Sequence, residues 1–459
     1  MNTEIHAAFI NAVLADSCYV VGLTNGMTDL SLENKLQPRL PAELAKYIGE
    51  KFRVVRQFTD PGNSGFSVTV FEEKANGQKY VSFRGTEEWS SRDYITDADA
   101  YIGSGLARRQ VIAMVNWYLR ATTPTTMEAV QIHETRAVDQ VTGELGPATY
   151  STSGEGTLLG SNALNVEGHS LGGHLTTVFT RLFAGDVSNS YTYNGLGVGR
   201  LYPESILREI EDALGLGPTA WPDASKQNNY FAEHGINAAT TDWWLSQKGQ
   251  RIALFNEEST GMPNHLMYKL TDSLALADVL GMMDNSLSLA TVTKLFDGAS
   301  STPANSLEKI LDGFRKLLQN QATPTAVGDA GDNAPSRNDF HAKLAALRDF
   351  VKAGGENHHP IVSLVGMGAD ALAENAKSGG IYRSPLSVRY ALKEINPFLI
   401  DAPDTLYAQH NTGGKLDRYN PITGQGELTD EYLTDRAAML AWKNKLALED
   451  ADATTTAYS

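Results

Sequence analysis

The sequence predicts an α/β fold with a mostly parallel sheet, followed by a mainly helical region. Short apolar strands alternate with amphipathic helices as far as about residue 280, which is the pattern of layered α/β proteins. Beyond that point the strand signals stop and helical periodicity dominates. Because 459 residues are enough for two domains, we expect an α/β domain over residues 1–280 and a helical accessory region over residues 281–459.

Composition argues against several functional classes. A net charge of −16 disfavours nucleic acid as a partner, since proteins that bind it present a basic surface to the phosphates. The single cysteine, Cys18, allows no internal disulfide and does not decide the compartment. The sequence has no apolar run of 18 residues to predict a membrane span. Its first residues also lack the basic and apolar regions of a cleavable signal peptide.

The first third of the chain contains one clear hairpin. Residues 66–71 and 79–83 alternate apolar and polar side chains and are joined through Asn76-Gly77, which is typical of tight β-turns. Residues 121–162 are rich in Thr, Ser and Gly, so we interpret them as a long surface excursion with one strand near residues 129–132. Apolar residues at helical spacing predict helices over residues 4–16, 43–52 and 106–119.

The α/β part is organised around a sharp turn in residues 163–185. Residues 163–166 predict a short buried strand, and the run Gly168-His169-Ser170-Leu171-Gly172 follows it. The Gly-x-Ser-x-Gly pattern turns a strand abruptly into a helix and exposes the serine hydroxyl at the bend. An amphipathic helix follows as far as Gly185. Strand, turn and helix in this order predict an α/β-hydrolase fold with Ser170 as its nucleophile.

The remaining elements complete the two predicted parts. Strands over residues 190–194, 229–232 and 251–255 and a helix over 203–214 belong to the α/β domain. In the C-terminal region helices are predicted over residues 306–318, 339–351, 389–394 and 430–446, with a linker over 321–336.

A nucleophilic serine needs a histidine to accept its proton and an acid to orient that histidine. On this type of sheet the acid and then the histidine follow the serine along the chain. His265 lies after the last predicted strand and before a helix, which is the place of a triad histidine. His234, on the loop after the preceding strand, is the alternative. His169 and His174 lie too near Ser170 in the turn and its helix to reach the hydroxyl.

The acid is expected after the strand that ends near Ala232 and before His265. Asp242 is the first choice, because Trp243 and Trp244 beside it would shield its carboxylate from water. The alternatives that lie at strand ends are Glu233, Glu257 and Glu258.

The tetrahedral intermediate of acyl transfer needs two hydrogen-bond donors for its oxyanion. One is the backbone N–H of Leu171, directly after the serine. Thr86, at the end of the run Phe83-Arg84-Gly85-Thr86, is the expected second donor, because it offers an N–H and a hydroxyl where an earlier strand ends.

Together these motifs resemble the class 3 lipases. Phe83-Arg84-Gly85-Thr86 is similar to the family's F-R-G-S/T loop, Gly168-His169-Ser170-Leu171-Gly172-Gly173 to its G-H-S-L-G-G turn, and Met262-Pro263-Asn264-His265-Leu266 to the segment of its histidine. The resemblance implies Ser170 as nucleophile, His265 as base, Thr86 in the oxyanion hole and Asp97 as a structural aspartate behind a lid. The run that carries the family's acid is replaced here by residues 233–237.

Residues 254–258 and 264–272 further resemble the bacterial lipase and phospholipase A modules of calcium-binding repeat (RTX) proteins, although this chain contains no such repeat. The resemblance implies a bacterial protein secreted without a cleavable signal peptide, and a cytoplasmic location is the alternative. It also implies that Asp93, Asp97 or Asp99 would hold any calcium, with no cofactor required for the reaction.

We therefore expect a serine carboxylester hydrolase that acts on lipids, triacylglycerol or phospholipid, through an acyl-enzyme. A lid over residues 86–101 would bring it into transient contact with a membrane or micelle surface, and no obligate protein partner is inferred. Two other interpretations remain: an inactive hydrolase fold used for delivery or interaction, and a hydrolase of another acyl substrate such as a peptide or thioester.

Overall fold

The computed structural model of the chain describes most of residues 2–457. The gaps are residues 63, 86–105, 139–144, 162, 200–202, 235–244, 258–261, 301–304, 328–333, 356–357 and 381–383. The chain divides into two compact units. One contains Ile10–Phe231 and Asn237–Ile252, and the other contains Met1–Phe9, Ala232–Ile236 and Ala253–Ala457. The domain boundary near residue 280 stays a prediction.

Helices and strands alternate along the first half of the chain. Before the serine turn the elements are α1 (Thr3–Ser17), α2 (Asp29–Leu36), α3 (Ala42–Lys51), β1 (Phe52–Thr59), β2 (Ser67–Glu73), β3 (Lys79–Phe83), α4 (Arg108–Thr122), β4 (Glu128–Val138) and β5 (Leu145–Ser153). From the turn onward they are β6 (Leu164–His169), α5 (Leu171–Leu182), β7 (Val187–Tyr193), β8 (Val198–Gly199), α6 (Pro203–Leu214), β9 (Gln227–Ala232), β10 (Leu245–Ser246) and β11 (Gln250–Leu254).

A seven-stranded sheet in the order β1-β2-β3-β6-β7-β9-β11 forms the centre of this half. Strands β1, β2 and β3 pair antiparallel, whereas β3, β6, β7 and β9 pair in parallel. The register places Phe83 opposite Gly168 and His169 opposite Tyr193, so the ends of β3, β6 and β7 meet at one edge. With a strand-turn-helix at the middle strand, this topology confirms the predicted α/β-hydrolase fold.

Aromatic side chains dominate the core on one face of this sheet. Phe83 at the end of β3 lies 5.4 Å from Phe179 and 6.3 Å from Trp117, measured between ring centroids. Tyr118 lies 4.7 Å from Phe179 in an edge-to-face arrangement. Helices α4 and α5 therefore pack against the strands that end beside Ser170, and this packing fixes the position of the turn.

Two sequence expectations about strands were wrong. Residues 121–162 are not a loop with one strand, because β4 and β5 form a long antiparallel ribbon whose register runs from Glu128–Ser153 to Val138–Leu145. Strand β1 was not predicted at all. Its exposed and half-buried positions are mostly polar, including Arg53 and Gln57, so the apolar alternation that identifies a strand is weak.

The second half of the chain is mainly helical, as predicted. Its elements are α7 (Met267–Met283), α8 (Leu289–Ala299), α9 (Ser306–Gln319), α10 (Asn338–Gly354), β12 (Ile361–Ser363), α11 (Ala369–Ser378), α12 (Pro385–Tyr390), β13 (Phe398–Ile400), α13 (Asp404–Ala408) and α14 (Asp430–Ala457). The expectation that strands end before residue 281 was wrong in one detail, since β12 and β13 form a short antiparallel pair.

Helix α7 is mostly apolar and is buried along almost its whole length. One of its buried aspartates, Asp272, lies 2.6 Å from Arg337 Nε and 2.6 Å from His341 Nε2. Burial alone would raise the pKa of Asp272, but Arg337 and His341 lower it below its usual value. Among the described helices, none is long and apolar enough to cross a membrane.

Candidate functional site

Ser170 lies between β6 and α5 in a backbone conformation that is unusual for a residue with a side chain. Its φ is 58° and its ψ is −124°, a region that costs free energy unless neighbouring contacts hold it. The Ser170 N–H donates to the Tyr193 carbonyl over 3.1 Å, and the Leu196 N–H donates to the Ser170 carbonyl over 3.0 Å. These bonds to the last residue of β7 and to the chain that follows it hold the predicted nucleophile in its turn.

Two glycines allow the turn to close. A Cβ atom on Gly168 would overlap the backbone of Gly172, and one on Gly172 would overlap the carbonyl of Phe83. The turn therefore brings the end of β3 directly against the start of α5. Leu171 is the first residue of α5, where the first backbone N–H groups have no acceptor within the helix. This is the position predicted for the first oxyanion donor.

The loop after β3 begins beside Ser170. A Cβ atom on Gly85 would lie 3.3 Å from the Ser170 Cβ and 2.7 Å from the His169 carbonyl oxygen. Thr86, the predicted second oxyanion donor, follows Gly85 but lies outside the described residues, as do Asp93, Asp97, Asp99 and the rest of the predicted lid.

Tyr19 connects this loop to the serine turn, and sequence reasoning missed it. The Gly85 N–H donates to the Tyr19 hydroxyl over 3.1 Å, and that hydroxyl lies 3.0 Å from His169 Nδ1. The Arg39 guanidinium lies 4.3 Å above the Tyr19 ring and pairs with Asp16 at 2.7 Å. No local motif marks Tyr19, because its partners lie 66 and 150 residues away in the sequence.

His174 is structural, in line with its exclusion as the base. Its Nε2 accepts a hydrogen bond from the Ala107 N–H over 3.4 Å, and its Nδ1 donates to the Gly197 carbonyl over 3.1 Å. Burial lowers the pKa of His174 to about 4, so the ring is neutral at physiological pH. The neutral ring therefore joins the start of α4 to the chain after β7.

Glu167 places a carboxyl group in the core, three residues before Ser170. The group is fully buried, and the Ser82 hydroxyl donates a hydrogen bond to it. Burial raises the pKa of Glu167 to about 8, although the bond from Ser82 acts in the opposite direction. Glu167 is therefore protonated in much of the neutral range, which is how a carboxyl group is accommodated in an apolar interior.

His265, the predicted base, ends a 3₁₀ turn formed by Met262–His265 and is buried. Burial lowers the pKa of His265 to about 4, so the imidazole stays neutral and able to accept a proton at pH 7. Asn256 connects its neighbour Asn264 to the loop after β9, donating to Asn264 Oδ1 over 3.2 Å and to the His234 carbonyl over 3.1 Å.

The candidate acids have different environments. The Glu257 carboxylate accepts a hydrogen bond from the Leu307 N–H over 3.0 Å, at the start of α9. Glu257 therefore stabilises the first turn of that helix. Burial and the neighbouring Glu308 raise the pKa of Glu257 to about 7. Glu233 is buried directly after β9. Asp242, the first choice, and Glu258 lie outside the described residues.

His234, the alternative base, pairs with an acid that the sequence did not indicate. Its Nε2 lies 2.8 Å from Asp297 Oδ1 on α8, and Glu233 belongs to the same cluster. Ser170 and Leu171 lie in one compact unit, whereas Glu233, His234 and His265 lie in the other. The triad assignment therefore remains a prediction from residue order along the chain.

Two solved structures of a lipase are similar to this chain. No protein-family model matches the chain, and no curated protein matches it. The crystal structure of Lip2 lipase from Yarrowia lipolytica is 17% identical with a TM-score of 0.29, covering 55% of this chain and 80% of the lipase. The nonglycosylated form of the Yarrowia lipolytica lipase is 14% identical with a TM-score of 0.32, covering 59% of this chain and 84% of the lipase.

Proposed function

We propose that the protein is a serine carboxylester hydrolase that acts on lipids. The observation that carries this proposal is the backbone of Ser170, a non-glycine residue held at φ 58° between a buried strand and a helix. Strained residues of this kind cluster at functional sites, and a strained serine between a strand and a helix is the arrangement of a hydrolase nucleophile. Ser170 would attack the acyl carbonyl, and the Leu171 N–H with Thr86 would stabilise the oxyanion.

In this proposal His265 is the general base, because residue order and the neutral imidazole both suit the role. Asp242 remains the first choice for the acid, with Glu233 as the alternative that lies directly after a sheet strand. Head-group preference depends on loops around the site. The assay below therefore has to distinguish triacylglycerol from phospholipid as the substrate.

The first experiment is to incubate the purified chain with p-nitrophenyl esters of increasing chain length and with labelled phosphatidylcholine, with and without calcium. We expect hydrolysis that increases with acyl chain length. Release of the first acyl chain of the phospholipid would identify phospholipase A activity. If no ester is hydrolysed and a serine-directed phosphonate fails to label Ser170, the result would favour an inactive interaction module.

Replacing the nucleophile gives the sharpest test. Ser170→Ala should lower kcat by about 10³-fold or more, because the hydroxyl forms the acyl-enzyme. Ser188→Ala is the matched control, since Ser188 lies on β7 of the same sheet and should leave kcat unchanged. Near-normal turnover of the Ser170→Ala variant on esters that the wild type hydrolyses would contradict the proposed nucleophile.

A further inference from the structure

Three side chains with metal-binding groups meet where the loop after β9 approaches helix α8. One ligand atom each from Glu233, His234 and Asp297 lies within 4.8 Å of the other two. Both acids are buried, with 8% of Glu233 and 2% of Asp297 exposed. Carboxylate oxygens beside an imidazole nitrogen are donor groups that first-row divalent cations accept in proteins.

One buried side chain holds the backbone of His234. The Asn256 side chain accepts the His234 N–H over 2.8 Å and donates to the His234 carbonyl over 3.1 Å. Asn256 is itself fully buried. This two-way clamp fixes the direction in which the imidazole leaves the chain, as metal sites require of their ligands.

Aromatic packing positions the other side of the cluster. The His234 ring meets the edge of Phe255 at a centroid distance of 5.6 Å, and Phe255 meets Phe296 at 5.7 Å. Phe296 directly precedes Asp297 in α8. The same apolar contacts therefore place the imidazole and the Asp297 carboxylate together, although the two residues are 63 positions apart in the chain.

The donor set selects the type of ion. One imidazole nitrogen and two carboxylate oxygens suit Zn²⁺ and related first-row cations, whereas Ca²⁺ and Mg²⁺ take oxygen ligands almost exclusively. Zinc bonds of roughly 2.0–2.2 Å would place tetrahedral ligand atoms about 3.3 Å apart. In the structure the three ligand atoms lie within 4.8 Å of one another, and His234 Nε2 lies 2.8 Å from Asp297 Oδ1.

We propose that Glu233, His234 and Asp297 bind one zinc-class divalent cation, with water completing the coordination. The ion ties the loop after β9 to α8. A Glu233 carboxylate that binds the ion is not available as the triad acid, which leaves that role to Asp242, Glu257 or Glu258. A metal-bound His234 has no free nitrogen pair with which to shuttle a proton, so the site also leaves the general-base role to His265.

The test is direct metal binding by the full chain after treatment with a chelator. Titration with Zn²⁺ in a calorimeter should give one site per chain, and Zn²⁺ should raise the melting temperature. Binding of Co²⁺ should produce visible absorption bands with the intensity of a tetrahedral complex. His234→Ala and Asp297→Asn should both abolish the site, and Mg²⁺ should not compete with Zn²⁺.

A second histidine–aspartate pair in the same unit provides a matched control. His6 Nδ1 lies 2.8 Å from Asp278 Oδ1, and Arg348 lies 3.4 Å from the other oxygen of Asp278, where the proposed site has a second acid. His6→Ala should therefore retain the full zinc stoichiometry. If His234→Ala or Asp297→Asn fails to fold by circular dichroism, Glu233→Gln serves as the test variant.

Two results would overturn the proposal. One is a wild-type protein that takes up no Zn²⁺ at micromolar concentration in either the calorimeter or the melting assay. The other is equal loss of zinc in the His6→Ala variant, which would mean that scattered histidines bind the ion. Because both readouts monitor metal and not ester cleavage, their failure is separate from any failure of the proposed hydrolase activity.

Discussion

At Ser170 the local sequence and the tertiary structure contribute different parts of the candidate site. Gly168 and Gly172 are visible in the sequence because the turn tolerates no Cβ atom at either place. Tyr19 is not visible, because its hydrogen bonds to Gly85 and His169 join parts of the chain that fold together only in three dimensions. Motif spacing could therefore identify the nucleophile but not the residue that supports it.

Glu167 gives a prediction about stability. Its pKa is raised to about 8 in the fold by burial, whereas an exposed Glu titrates near 4.5. A raised pKa in the folded state contributes stability that is complete below the pKa of the unfolded chain. That stability is lost as pH rises through the folded value, by up to about 1.4 kcal/mol per pH unit.

Glu167→Gln, which cannot ionise, should therefore gain stability relative to the wild type between about pH 5 and pH 8, because an amide avoids this loss. Urea unfolding across that range measures the difference. Glu50→Gln, at an exposed position in α3, is the control and should follow the wild-type curve. Parallel curves for wild type and Glu167→Gln would show that the Glu167 carboxyl does not titrate in this window.

His265 gives a prediction about activity. Because burial lowers its pKa to about 4, the imidazole should remain a proton acceptor well below the usual histidine pKa of about 6.5. If His265 is the base, kcat/KM on a soluble p-nitrophenyl ester should stay level through pH 6 and fall only as pH approaches about 4.

A melting curve at each pH would distinguish protonation of His265 from unfolding of the protein. In the His234→Ala variant, kcat/KM should fall at the same acidic pH as in the wild type. An acid limb near pH 6.5 in the wild type would instead indicate an exposed histidine as the base and would contradict the assignment of His265.

Among the elements, those with a strong local signal were predicted well and those set by tertiary context were not. The hairpin of β2 and β3 was found from Asn76-Gly77 and its alternating flanks. Of the β4–β5 ribbon only a strand near residues 129–132 was predicted, because β5 is rich in Thr and Ser and lacks that alternation. Strands β12 and β13 have only three residues each, which is too short for a periodic signal.

The contact between Tyr19 and the loop after β3 gives a prediction at this scale. Tyr19→Phe removes the acceptor of the buried Gly85 N–H, which should destabilise the fold by about 1–3 kcal/mol. Since Gly85 lies beside Ser170 and precedes Thr86, the loosened loop should lower kcat about tenfold, with a smaller change in KM.

Tyr80→Phe is the matched control, because the Tyr80 hydroxyl lies on β3 and bonds Glu73 at the long distance of 3.5 Å. Steady-state kinetics and thermal melts of both variants would test the idea. A Tyr19→Phe variant that loses stability but keeps its full kcat would show that this hydroxyl supports the fold alone.

For the whole molecule, hydrophobic periodicity predicted the helical character of the second half, but the sequence did not reveal which distant residues pair with each other. His234 and Asp297 illustrate this limit, because neither lies in a recognisable metal-binding motif. Their proximity follows from the packing of Phe255 on Phe296, which depends on how whole elements are arranged.

The net charge of −16 gives the prediction that belongs to the whole chain. If the protein hydrolyses lipids at a surface, a negatively charged enzyme is repelled by negatively charged vesicles over about 10 Å at 0.1 M salt. Hydrolysis of phosphatidylcholine should therefore fall as an anionic lipid is mixed into the vesicles at low ionic strength, and added salt should restore it.

Vesicles with an uncharged diluent lipid in place of the anionic one are the control for surface dilution of the substrate. A soluble short-chain ester, assayed in the same salt series, separates effects on the interface from effects on the catalytic step. Activity that rises with the anionic lipid would mean that local attraction outweighs the net charge, and binding measured with the Ser170→Ala variant would then locate the effect in association and not in turnover.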